Sequence, residues 1–225
     1  RNTKIRIVWL AGILIFYWLL FVLFKAPDYP GFGRYTMEGN ISSYIDRTLL
    51  PGRLCCYGFG DNEGLLPTIA ATGTGLLGML TGELLLTNRK PMNKVYLMTA
   101  IGVGLLIIGQ LWSLVFPINK NLWSSSFVCW VGGLSMLLMV FFYLIIDVWN
   151  FQKWTFFFVV IGVNPITIYL AVKIIKWDSA NEFFFQGIAN LFPETWIPFI
   201  MSLGYVAVAW GFLYFLYKKK IFLKV

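Results

Sequence analysis

Val95-Tyr96-Leu97-Met98-Thr99-Ala100-Ile101-Gly102-Val103-Gly104-Leu105-Leu106-Ile107-Ile108-Gly109-Gln110-Leu111-Trp112-Ser113-Leu114-Val115-Phe116 runs for 22 residues without an Asp, Glu, Lys or Arg. At roughly 1.5 Å per residue, a helix of this length covers about 33 Å, the thickness of a bilayer's hydrocarbon core. Five further stretches have the same character, so spans are expected near 5–24, 65–86, 95–116, 123–146, 155–175 and 196–217. The fold class is all-α: a polytopic membrane bundle of six transmembrane helices forming a single membrane domain over 1–225. Composition agrees, with 59% hydrophobic and only 12% charged residues among 225 and a mean hydropathy of +0.74. Its 21 Phe, 11 Tyr and 10 Trp sit beside apolar runs and do not alternate with polar residues. Such a chain is solvated by lipid, which excludes a water-soluble globular domain, a disordered segment, a disulfide scaffold and a nucleic-acid binder. Histidine is absent, so no step in this chain can use an imidazole as base, nucleophile or metal ligand.

The connections are a long segment 25–64, short ones at 87–94, 117–122 and 147–154, and an intermediate one at 176–195. With the N-terminus inside, eleven of the eighteen Lys and Arg fall on the cytoplasmic side: Arg1, Lys4, Arg6, Arg89, Lys90, Lys94, Lys153, Lys218, Lys219, Lys220 and Lys224. The positive-inside bias therefore gives N-in and C-in, with the loop 25–64 extracytoplasmic. The net charge of +8 is thus read as topology. The chain opens at Arg1 and is apolar from Ile5 onward for a full spanning length, so a cleaved signal peptide is disfavoured and a piece of a longer protein is expected.

Polar groups in unusual places are the candidates for chemistry. Asp61-Asn62-Glu63-Gly64 runs straight into the span from Leu65, at the positive end of a helix dipole. Asp61 and Glu63 are either cap residues or a carboxylate pair that binds an amine or hydroxyl substrate. Phe116-Pro117-Ile118-Asn119-Lys120-Asn121-Leu122-Trp123 is a tight turn carrying Asn119, Lys120 and Asn121, which can hydrogen-bond phosphate or sugar oxygens or merely anchor the interface. Ser124, Ser125 and Ser126 follow, and Ser126 is expected to be dispensable. Asn164-Pro165 at the middle of the fifth span predicts a kink with a buried amide, which is a functional candidate or a structural one. Gly78 and Gly82, with Ala70, Ala71, Gly73 and Gly75, permit close helix contact or leave room for a substrate tail. Glu83 is placed within reach of Arg89 and Lys90, and Asp147 takes the like position on the fourth span. Cys55 and Cys56 are adjacent and Cys129 lies within a span, so neither a disulfide framework nor a zinc pattern is present. Walker loops, dinucleotide glycine fingerprints and serine nucleophile elbows are missing too.

In combination these segments resemble the heparan-α-glucosaminide N-acetyltransferase family, polytopic membrane acetyltransferases with a lysosomal member and bacterial relatives. The matching stretches are Tyr44-Ile45-Asp46-Arg47, Asp61-Asn62-Glu63-Gly64-Leu65, Leu77-Gly78, the Phe116 to Ser124 turn, Asp147-Val148, Gly162-Val163-Asn164-Pro165 and the tail Tyr217 to Phe222. The Pro-Ile-Asn-Lys-Asn-Leu-Trp turn is the most specific of them. The resemblance implies an eleven-helix bundle of which this chain matches the last six helices, with the family's catalytic histidine upstream, so that no catalytic residue lies in this chain. It further implies transfer of an acetyl group from acetyl-CoA, a co-substrate, to the amino group of a glucosamine-type sugar. On that basis Asp61, Glu63 and Asn164 contact the sugar, and Asn119, Lys120 and Asn121 face the acetyl donor; no metal is implied. Glu83 departs from the family, whose lysosomal member carries a basic residue there. The implied partners are the lipid bilayer, an amino-sugar acceptor, the upstream helices of the same protein and a second copy of the chain. The implied location is a bacterial inner membrane. The rival function is an amino-sugar transporter, since kinked helices with polar groups at mid-membrane also build transport sites.

Overall fold

The computed structural model describes residues 2–52, 54, 58–61 and 63–223. The reading of Cys55 and Cys56, the charges of Arg1, Arg53 and Lys224, and Asn62 of the Asp61–Gly64 stretch lie outside the described residues. Two compact units emerge, Arg1–Asn150 and Phe151–Val225.

The first unit holds α1 (Thr3–Leu23), α2 (Ile41–Leu49), α3 (Leu65–Leu85), α4 (Pro91–Trp112) and α5 (Ser125–Tyr143), the last continued by a π-helical turn over Leu144–Val148. The charge-free run that opens at Val95 is entered four residues early, because Pro91 suits the first turn of a helix, where its missing N–H costs nothing. The run leaves the helix at Trp112, and Phe116 closes a tight turn with its N–H on the Trp112 carbonyl at 2.9 Å. Helices α4 and α5 approach backbone to backbone: a Cβ on Gly133 would stand 2.7 Å from the Gly102 carbonyl oxygen, and one on Gly109 2.8 Å from the Trp130 nitrogen. The close contact allowed by small residues is therefore made here. At Gly78 and Gly82 of α3 nothing lies within 4 Å of an added Cβ. These two instead border a groove of about 270 Å³ between α3 and α5, together with Thr74, Thr81, Ser135 and Met139.

An aromatic knot joins α1 to the 113–124 turn. Tyr17, Phe21, Phe116 and Leu122 are buried with Ala70 of α3, the Phe21 and Phe116 rings are 5.3 Å apart, and the Tyr17 hydroxyl donates to the Leu122 carbonyl at 2.6 Å. Ser125 donates to the Leu14 carbonyl at 2.7 Å and Ser126 to the Phe116 carbonyl at 2.6 Å. Ser126 is fully buried, so the expectation that it is dispensable is corrected: it ties α5 to the end of the preceding run. Glu83 pairs with Arg6 of α1, not with the Arg89–Lys90 turn.

In the second unit the fifth expected span is broken. A 3₁₀ turn Lys153–Thr155 leads into α6 (Phe156–Gly162), and α7 (Pro165–Ile174) leaves at 61° to it. The break falls where the Asn164-Pro165 pair predicts it: Pro165 offers no N–H, and Asn164 takes φ −136°, ψ 45°, outside the helical region. Segment 176–195, expected as a connection, forms α8 (Trp177–Ala189), which packs on α9 (Ile197–Lys218) with the Asn181 amide donating to the Met201 carbonyl at 2.9 Å. Among the described residues, five helices are long and apolar enough to cross a bilayer, or six with the bent pair counted as one.

Candidate functional site

Two neighbouring residues of α2 organise the 25–64 segment. This short helix starts at Asn40, whose Oδ1 accepts the Ser43 N–H at 2.7 Å. Asp46 is fully buried. Its Oδ1 accepts the Leu65 N–H at 3.0 Å and its Oδ2 the Asp61 N–H at 3.4 Å. Helix α3 has only Gly64 at its N-cap and no cap of its own, so Asp46 satisfies an orphan donor from across the chain. A Cβ at Gly64 would collide with that carboxylate, which accounts for the glycine. Burial raises the Asp46 carboxyl above the usual carboxylate range, against the opposing pull of the two N–H donors.

Arg47 binds the rest of the segment. Its Nε and Nη2 fork onto the two carboxylate oxygens of Asp28 at 3.0 Å each, Nη2 also donates to the Glu38 carbonyl at 3.0 Å, and Nη1 donates to the Phe59 carbonyl. The guanidinium lies 5.0 Å from the centre of the Tyr29 ring. The hydrogen bond from Arg47 holds the Asp28 carboxyl below its ordinary value.

Asp61 and Glu63 follow from this frame. Asp61 is half-buried, and its Oδ1 accepts the Glu63 N–H at 2.9 Å in a turn that leads into α3. Glu63 is exposed and borders a groove of about 270 Å³ with Pro67, Thr68, Ala71 and Trp123. The acidic entry to α3 and the 117–123 turn, distant in sequence, therefore meet at one cleft. Within the turn, Asn119 is a builder: its Oδ1 accepts the Asn121 N–H at 2.9 Å and the Leu122 N–H at 3.4 Å, and its own N–H goes to Ser124 Oγ at 3.1 Å. Lys120 is exposed and Asn121 half-buried. Trp123 adopts a left-handed backbone at φ 49°, and its Nε1 donates to Thr74 Oγ1 of α3 at 3.1 Å.

Asn164 belongs to the second unit and is buried there. Its Nδ2 donates to the Ile221 carbonyl at 3.0 Å, and its Oδ1 accepts from the Leu223 N–H and the Thr167 hydroxyl, both at 3.2 Å. The amide thus fastens the C-terminal tail to the break between α6 and α7. Sequence reasoning singled out Asp46, Arg47 and Trp123 only as members of matching stretches. Nothing in their spacing shows that the first two hold the segment together or that the third lines a cleft.

Apolar helices long enough to cross a bilayer, with a cleft carrying Glu63 at the head of α3, define a polytopic integral membrane protein. No family model matches the chain. In an alignment of 216 positions that covers 86% of the chain it is 29% identical to the human heparan-α-glucosaminide N-acetyltransferase, and in one of 215 positions that covers 83% it is 30% identical to the mouse protein of the same name. The chain spans 31% and 30% of those relatives' lengths. It is thus related to the heparan-α-glucosaminide N-acetyltransferases, the family its motifs resemble.

Proposed function

We propose that this chain forms part of a membrane acetyltransferase that moves an acetyl group from acetyl-CoA to the amino group of a glucosamine-type sugar. The observation that carries the reading is the similarity to two proteins named for that reaction along more than four-fifths of the chain. In the reaction the bound ammonium first loses a proton to a base, the freed amine lone pair attacks the thioester carbonyl, the carbon–sulfur bond breaks, and the second amine proton passes to the departing thiolate to give CoA thiol. Glu63, exposed beside the cleft, attracts an ammonium group and fixes the sugar nitrogen; Asp61 shapes the same turn and holds Glu63 through its backbone. Lys120 offers a cation, and Asn121 an amide, to a phosphate or carbonyl oxygen of the donor, while Asn119 keeps both in place. Asn164, whose amide is taken up by Ile221, Leu223 and Thr167 within the second unit, is kept as a structural residue and takes no part at the cleft.

The chain has no imidazole. The base that accepts the amine proton is therefore a carboxylate or a group contributed by helices outside this chain, and residues 1–225 alone are expected to be inert. The cleft is assigned to the extracytoplasmic face of a bacterial inner membrane. The test is acetylation of glucosamine by the full-length protein with labelled acetyl-CoA, run beside uptake of labelled glucosamine and N-acetylglucosamine into vesicles. Acetylated product without uptake supports the reading. Uptake without product overturns it in favour of the transporter, the reading that the 61° break in the fifth span favours.

A further inference from the structure

We infer that Trp123 is the sugar-stacking wall of the cleft at the head of α3, taking the apolar face of a hexosamine while Glu63 takes its ammonium; this rests on the amino-sugar reading above. Four features of the residue converge on that role. Its backbone is left-handed at φ 49°, a region costly for a bulky side chain and kept where the surroundings enforce it. The indole is then fixed at two points, by its Nε1 on Thr74 Oγ1 at 3.1 Å and by an edge-on contact with Phe127, ring centres 5.6 Å apart at 75°. With its N–H already spent on α3, the ring offers the cleft an apolar surface. Finally, the residue lining the same cleft that carries a charge is Glu63, with Thr68 as a hydroxyl partner and Pro67 and Ala71 too small to crowd a ring.

A cleft of about 270 Å³ suits one sugar ring and not an extended acyl chain. Sugars present axial C–H groups on one face and hydroxyls at the rim, so an immobilised indole with a carboxylate and a hydroxyl beside it matches that pattern. A protonated amine adds attraction to both the indole face and the carboxylate, which selects hexosamines over neutral hexoses.

Calorimetric titration of the purified protein in lipid nanodiscs, without acetyl-CoA, tests the assignment with methyl β-glucosaminide, methyl β-glucoside and N-acetylglucosamine as ligands. Methyl β-glucosaminide is expected to bind at least about tenfold more tightly than either neutral sugar. Trp123→Ala should weaken it by at least about tenfold and Trp123→Phe by less, since a ring face remains. Glu63→Gln should remove the preference for the amine while leaving neutral sugars unchanged. Thr74→Val keeps the volume and frees the indole, and should weaken binding several-fold with an unchanged melting temperature, which keeps the test decisive if Trp123→Ala does not fold. Binding of the glucosaminide that is unaffected by Trp123→Ala and Thr74→Val, or no binding by the parent protein, overturns the assignment. Trp123-dependent binding by a full-length protein that transfers no acetyl group when acetyl-CoA is added sinks the acetyltransferase reading and leaves the stacking wall standing.

Discussion

Asp46 and Arg47 show how much one dipeptide can hold. Removing the Asp46 carboxylate takes the partner from the Leu65 and Asp61 N–H groups in a partly buried place, which costs up to about 1–3 kcal/mol. Asp46→Ala is therefore expected to lower the melting temperature clearly, and Asp46→Asn, which keeps an acceptor, to lower it less. The pH dependence has a definite sign. A carboxyl raised in the folded state favours the protonated native protein, so its contribution to stability declines as pH climbs from the unfolded carboxyl value through the folded one. Asp28 is lowered by Arg47 and works the other way, its contribution being lost on acidification. Melting curves of Asp46→Asn across pH 4–8 should rise relative to the parent toward neutral pH; parallel curves would refute the assignment. At the neighbouring turn, Lys120→Ala in the full-length protein should keep the parent's melting temperature while acetyl transfer drops at least about tenfold, the scale of a lost hydrogen bond to a charged ligand. Asn119→Ala should lose stability as well, because its side chain builds the turn.

Among the elements, the spans were readable and the connections were not. A charge-free run of about twenty residues has one solution in a bilayer, so α1, α3, α4, α5 and α9 fall within a few residues of their expected places. Helix α2 is hard to read in the sequence because Ile41–Leu49 mixes serines, Asp46 and Arg47 with apolar residues over only two turns, with a local Asn40 cap as its one signal. The kink at Asn164-Pro165 was legible from proline's missing donor. The occupation of the Asn164 amide was not, since its partners are 57 and 59 residues away. The same distance in sequence hid the meeting of Glu63 with Trp123. Packing within the first unit makes its own prediction. Gly133→Leu would drive a side chain into the α4 backbone and should unfold the α4–α5 pair, whereas Gly78→Leu, facing an open groove, should be tolerated in a detergent melting assay.

For the whole molecule, the distribution of Lys and Arg predicts which solvent each connection meets. A single cysteine at position 90 in a background without Cys55, Cys56 and Cys129 should be labelled only from the cytoplasm, and one at the exposed positions 31 or 120 only from outside. Reversed labelling would overturn the orientation and the assignment of the cleft.

The fastening of residues 221–223 to Asn164 bears on how the protein can be handled and how it is built. A tail that hydrogen-bonds into a break in a membrane helix acts as a splint applied last, after α9 has been synthesised. Chains cut back to Lys220 should insert normally yet leave the α6–α7 joint loose, and should show greater protease sensitivity near residue 164 than the uncut protein. A fusion partner placed close behind Leu223 pulls on the same joint, so a fluorescent or affinity tag belongs there only behind a long flexible linker.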